Sequence, residues 1–218
     1  PFGAGGDGFG ARDDGSRLLV RLPGGDEEIY ETLGRTLRGI HNRANAMAAI
    51  LAARLAGADA ASVREALTTF PGLPHRLEVV RVHRGVEWIN DSKATNVDAA
   101  QVALAAIEGP AIWIAGGKGK GAPYAPLRPL LGRRVKALLT IGADGPRLAA
   151  ELGDVVPTFE CGTLERAVER AWALAEAGDQ VLLSPACASF DQFRDYEDRG
   201  EAFRRLVEAR TAPADEGR

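Results

Sequence analysis

Only two cysteines occur in the 218 residues, Cys161 and Cys187, and they form no CxxC pair. That excludes a disulfide framework and a paired-thiol zinc site, and it suits a reducing compartment. Charge of one sign is also lacking. With 27 basic and 30 acidic residues the formal charge is −3, so there is neither a basic nucleic-acid surface nor a polyanionic tail, and nucleic acid is not an expected partner. No run of about 18 apolar residues could span a bilayer, and no charged-then-apolar leader opens the chain, so a cytoplasmic location away from membranes is expected. Neither a GxxxxGK[ST] phosphate loop nor a GxSxG elbow is present, and three histidines leave few general bases for a serine nucleophile. The chain also opens on Pro1 rather than Met, in the Gly-rich stretch PFGAGGDGFGARDDG. A fragment of something longer is the expectation.

What is present is a change of rhythm along the chain. SRLLVRLPGG reads as a strand running into a turn. NRANAMAAILAARL, Asn42 to Leu55, is an Ala-rich helix stopped by Gly57. A second helix, SVREALTTF, is expected to start at an N-cap Ser62 with Glu65 three residues on, and to end at Pro71-Gly72. GLPHR, residues 72 to 76, reads as a connection between two units, 1–72 and 73–218. LEVVRVHRGVEWIN then suggests a hairpin about Arg84-Gly85. Beyond it AIWIAGG, ALLTIG and QVLLSPA are short apolar strands separated by the helices NVDAAQVALAAI, GPRLAAEL and TLERAVERAWALAEA, with EDRGEAFRRLVEAR closing the chain. The fold class is therefore α/β, a mostly parallel sheet with helices on both faces.

In such a sheet ligands bind beyond the carboxyl ends of the strands, and three polar loops fall there: INDSKATN, GGKGKGAPY and SPACASFDQF. Asp91 can accept from the vicinal hydroxyls of a ribose, and Lys93 supplies a mobile point charge for phosphate or a developing anion. Ser92, Thr95 and Asn96 serve either a ligand or the N-terminus of the next helix. Glycines beside Lys118 and Lys120 suit close approach to a carboxylate or phosphate, the alternative being a flexible turn with solvated lysines. Ser189 reads as a hydroxyl that holds a ligand. In HNRAN, Asn42 and Asn45 are three apart on one helix face and pair well with an adenine edge, unless Asn42 caps and Asn45 is merely exposed. His75 and Arg76 lie on the connection, where a cation reaches a phosphate. His83 is an ordinary residue of the hairpin edge.

The order HNxxN, GLPHR, INDSKATN, GGKxKG, SPACASxDQF resembles the Mur ligases, from about residue 39 to about 207. The resemblance implies the end of an α/β ATPase domain over 1–72 and a Rossmann-like C-terminal domain over 73–218. It further implies an enzyme, a monomer that uses ATP and Mg²⁺ to join D-glutamate to UDP-N-acetylmuramoyl-L-alanine through an acyl phosphate, in the synthesis of peptidoglycan. By the same resemblance, Asn42 and Asn45 contact the adenine end, and His75, Arg76 and Asp91 hold ribose and phosphates. Lys93, with His75 and Arg76, serves the reacting phosphate, while Thr95, Lys120, Ser189, Phe190 and Tyr196 line the D-glutamate pocket. Two departures stand out. Tyr196 sits where the family carries Phe, and the P-loop, the Mg²⁺ ligands and the family's carbamylated lysine have no counterpart in this chain. The other readings are a nucleotide-binding module without catalysis, a structural remnant, and a folylpolyglutamate synthase-like ligase, against which DSKATN weighs.

Overall fold

A computed structural model describes residues 9–31 and 39–211; residues 1–8 of the Gly-rich opening lie outside it. The chain divides into two compact units, one ending at Gly72 and one beginning at Leu73. In the first, strands β1 (Gly10–Asp13), β2 (Leu18–Arg21) and β3 (Glu27–Tyr30) form an antiparallel meander. Helices α1 (Ile40–Leu55) and α2 (Ala60–Thr69) follow, and Met47, Ile50 and Val63 pack on Leu18, Val20 and Tyr30. Sequence patterning finds only β2, because GARD and EEIY carry little apolar signal; they are strands because β2 pairs with each of them. The expected capping box at Ser62 is corrected. Asp59 is the N-cap, and Ser62 donates both its N–H, at 2.9 Å, and its hydroxyl, at 2.7 Å, to the Asp59 carboxylate. A carboxylate at the positive end of a helix is the stronger acceptor, so Ser62 falls inside the first turn.

The second unit is the α/β body the strand and helix alternation predicts. Its strands are β4 (Glu78–His83), β5 (Val86–Asn90), β6 (Ala111–Gly116), β7 (Val135–Ile141), β8 (Thr158–Gly162) and β9 (Gln180–Leu183). Its helices are α3 (Val97–Ala106), α4 (Arg128–Arg134, after a single 3₁₀ turn), α5 (Gly145–Leu152), α6 (Leu164–Leu174) and α7 (Tyr196–Thr211). The sheet order is β4-β5-β9-β6-β7-β8, with β4 antiparallel to β5 and every other pair parallel. Arg84 and Gly85, both at positive φ, make the tight turn of the β4–β5 hairpin. Side chains alternate between two cores. Trp113 and Leu138 face α3, α4 and α5, whereas Ile112, Ile114 and Leu139 face α6 and α7. Burial on both sides is why these strands are apolar without interruption. The sequence reading missed β8 and α4. TFECG is a half-buried edge strand with little apolar content, and RPLLGRR carries a Pro and a Gly that lower its helical signal.

Candidate functional site at the strand ends

Because β9 lies between β5 and β6, the loops after those three strands are neighbours at one rim, the place where a doubly wound sheet opens a crevice. Backbone geometry then draws them together. The N–H of Gly116 donates to Pro185 at 2.8 Å, and Lys118 and Ala188 exchange both backbone hydrogen bonds as an isolated antiparallel bridge. Gly116 and Gly117 sit at φ 122 and 132, and a Cβ on Gly116 would lie 1.9 Å from the carbonyl oxygen of Ile141, so only glycine fits this crossing. Beneath it the buried indole of Trp113 donates to the Ser184 carbonyl at 2.8 Å, fixing the start of the loop after β9.

A residue no motif points to joins the remaining loop. Arg199 of α7 is 1% exposed, and its guanidinium donates to the Ser92 hydroxyl at 2.9 Å, the Ser92 carbonyl at 2.9 Å and the Cys187 carbonyl at 3.1 Å. Burial pulls its pKa down to about 10, so it stays charged at neutral pH. One side chain thus ties the loop after β5, one residue before Lys93, to the loop after β9, two residues before Ser189. Lys120 lies two residues past the Lys118 bridge, within about 8 Å of it along the chain. Lys93, Lys120 and Ser189 therefore share one margin of the unit. An arginine near the start of a closing helix is a common helix residue, and its sequence carries no sign of the burial.

Exposure separates the expected site residues. Lys93, Lys118 and Lys120 are exposed, and Arg76 is half-buried with no hydrogen bond or ion pair from its side chain among the described residues. The Lys93 ammonium lies 5.2 Å from the Tyr196 ring centroid, a cation–π contact. Tyr196 donates its hydroxyl to Glu197 at 2.9 Å, so the extra oxygen at this position has a partner. Ser189 is buried, its hydroxyl free of hydrogen bonds among the described residues, and the next residue, Phe190, is 68% exposed. Thr95 is half-buried, while Asn96 is the cap of α3, accepting from the Ala99 N–H at 2.8 Å.

Three of the expected site residues have surroundings that the sequence did not indicate. Asp91 turns its carboxylate inward. It is 5% exposed, with one oxygen accepting from the Leu77 N–H at 3.2 Å and the other from the Ser184 hydroxyl at 2.8 Å. Burial raises its pKa to about 7, against the opposing effects of those two bonds and the Arg76 charge. His75 is buried as well. Its ring is packed against Gly200 and Tyr196, and Nδ1 lies 3.0 Å from the Asn90 amide nitrogen. The Asn90 oxygen accepts from the Ser92 N–H, so the Asn90 nitrogen is the donor to Nδ1, while Nε2 lies 3.8 Å from Glu201 Oε1. Finally, Asn42 lies on the buried stripe of α1 with Ala46 and Ile50, while Asn45, about 60° round the helix from it, is exposed. Asn42 is also inside α1 and is not its cap.

The fold and rim define an α/β domain that gathers cations and a hydroxyl beyond the ends of adjacent parallel strands, a class suited to anionic ligands. The family model described as "Mur ligase, glutamate ligase domain" matches residues 75–187. The chain belongs to the Mur ligase family. It is 59% identical over 196 residues to the UDP-N-acetylmuramoylalanine–D-glutamate ligase of Anaeromyxobacter dehalogenans, covering 88% of this chain and 42% of that protein. With the enzyme of the same name from Myxococcus xanthus it shares 56% identity over 197 residues, covering 88% and 43%. The chain thus spans less than half the length of these relatives. Among solved structures, E. coli FolC in complex with ADP matches with a TM-score of 0.65 at 20% identity, over 95% of this chain and 48% of that one. A pseudomurein peptide ligase type C from Methanothermus fervidus matches with a TM-score of 0.66 at 20% identity, over 92% and 41%. These likenesses show the fold.

Proposed function

We propose that this chain is the C-terminal part of an ATP-dependent ligase that joins D-glutamate to UDP-N-acetylmuramoyl-L-alanine. On this reading residues up to Gly72 are the end of an ATP-binding domain, and the unit from Leu73 is the glutamate-binding domain. The observation that carries it is the gathering of Lys93, Lys118, Lys120 and Ser189 at one rim by the Lys118–Ala188 bridge and the Arg199 clamp. The names of the relatives at 59% and 56% identity support the choice of substrates.

The chemistry explains why that rim is cationic. ATP supplies a phosphoryl group to the substrate carboxylate, giving an acyl phosphate and ADP. The amine of D-glutamate then attacks the acyl carbon, and the tetrahedral intermediate expels inorganic phosphate as the amine loses its proton. Negative charge develops on phosphoryl and carbonyl oxygens, so preoriented cations lower the barrier. Lys93, steered by the Tyr196 ring, and the half-buried Arg76 are the groups to meet those oxygens. Lys120 and the Ser189 hydroxyl suit the D-glutamate carboxylates, with Thr95 beside them and Phe190 and Tyr196 against its methylenes. Asp91 and His75 act as supports rather than contacts. The Mg²⁺ that this chemistry uses finds no group of three His, Cys, Asp or Glu among the described residues, so no step is assigned to it here.

Phosphate release with ATP, D-glutamate and UDP-N-acetylmuramoyl-L-alanine tests the reading. The protein expressed from the complete reading frame turns over only with all three substrates, and the 218-residue chain alone does not. Turnover that ignores D-glutamate, or none from the complete protein, refutes it.

A further inference from the structure

The last residue of GGKGKGAPY has no part in the scheme above, yet it holds three loops. Tyr124 is 1% exposed, and its hydroxyl donates to Asp144 Oδ2 at 2.6 Å and lies 3.0 Å from Cys187 Sγ. A carboxylate only accepts, so the phenol proton goes to Asp144 and the phenol oxygen takes the thiol proton. Burial pushes the Cys187 thiol up to about 11 and raises the tyrosine hydroxyl above its ordinary value, which keeps both protons in place at neutral pH. The rest of the residue is held from α5. Its N–H donates to Glu151 at 2.7 Å, and Arg147 lies 5.1 Å over its ring while donating to Glu151 at 2.8 Å and to the Ala122 carbonyl at 2.9 Å. The same Asp144 abuts Gly119, where a Cβ would come 2.0 Å from Oδ2. Asp144 therefore presses on the loop between the two lysines, and the tyrosine hydroxyl, with the Arg147 guanidinium 3.6 Å from the same oxygen, holds that carboxylate.

We propose that Tyr124 is a positioning residue for the amino-acid substrate: by bridging Asp144 and Cys187, its hydroxyl sets the Lys118–Lys120 loop against Ser189. Tyr124 does not touch the substrate, and the inference rests on the reading that this loop takes a D-glutamate carboxylate. Cys187 precedes Ser189 by two residues, so the bridge joins the loops after β6, β7 and β9.

Tyr124→Phe removes only the hydroxyl and keeps the ring, the Arg147 stacking and the Glu151 bond, so the unit folds. In the 218-residue chain, hydrogen exchange of the Gly117–Gly121 amides rises about tenfold while the β6 and β7 amides are unchanged. In the protein from the complete reading frame, KM for D-glutamate rises about tenfold with kcat within about twofold and KM for ATP unchanged. The Tyr124→Phe/Asp144→Asn double variant is no worse than the poorer single one, since both act through one contact. Unchanged loop exchange, or a D-glutamate KM equal to wild type in an active enzyme, overturns the positioning role alone. A wild-type protein with no D-glutamate-dependent turnover overturns the ligase reading and this inference with it.

Discussion

Replacing Arg199 tests whether a single buried cation holds the rim. Arg199→Met removes three hydrogen bonds, leaving the Ser92 and Cys187 carbonyls buried without their donor, while the Ser92 hydroxyl keeps its own bond to the Tyr196 carbonyl at 2.7 Å. Each buried acceptor left alone costs about 1–3 kcal/mol, and relief from desolvating the guanidinium returns part of it, so a net loss of about 3 kcal/mol follows. Arg199→Lys keeps the charge but not the planar fork, and loses about 2 kcal/mol. Urea unfolding followed by tryptophan fluorescence isolates the effect, because Trp88, Trp113 and Trp172 all lie beyond Gly72. At a slope of about 1–3 kcal/mol per molar urea, the Met variant's midpoint falls by about 1–3 M. A midpoint within about 0.3 M of wild type would refute the clamp.

Asp91 makes stability depend on pH in the sense opposite to an ordinary ion-paired carboxylate. The folded state holds its proton up to about pH 7, whereas the unfolded chain releases it near 3.8, so this contribution is complete below about pH 4 and is lost as pH rises through 7. The slope reaches about 1.4 kcal/mol per pH unit, and Asp91→Asn flattens it; identical pH profiles for the two proteins rule the effect out. Gly200→Ala reverses the usual helix propensity. Alanine gains about 1 kcal/mol in an open helix, but here its Cβ would stand 2.2 Å from His75 Nδ1, and overpacking costs about 1–3 kcal/mol. A urea midpoint above wild type contradicts this. Asp59→Ala destabilises α2 more than Ser62→Ala does, measured by hydrogen exchange of the α2 amides; the reverse order restores Ser62 as the cap.

The rim was legible in the sequence as three polar loops after apolar strands, and the structure adds which of their residues face outward. INDSKATN reads as a row of equivalent hydrogen-bonding groups. In the fold it divides into buried Asn90, Asp91 and Ser92, exposed Lys93, half-buried Thr95 and the helix cap Asn96. The division is made by α7, whose Tyr196 carbonyl, Arg199 and Gly200 meet Ser92, Asn90 and His75 across more than a hundred positions. The Tyr124 bridge was hidden for the same reason, since its partners lie 20 and 63 residues away.

By itself the sequence determined the α/β class, the hairpin at Arg84-Gly85, the end of α1 at Gly57 and the three loops that carry the chemistry. Those depend on side-chain period and turn geometry, which act over a few residues. Only tertiary structure decided that β9 inserts between β5 and β6, that Asp91 and His75 turn inward while the lysines stay out, and that Arg199 and Tyr124 tie the loops together. Burial of a polar group depends on which distant partner satisfies it, and no local pattern encodes that partner.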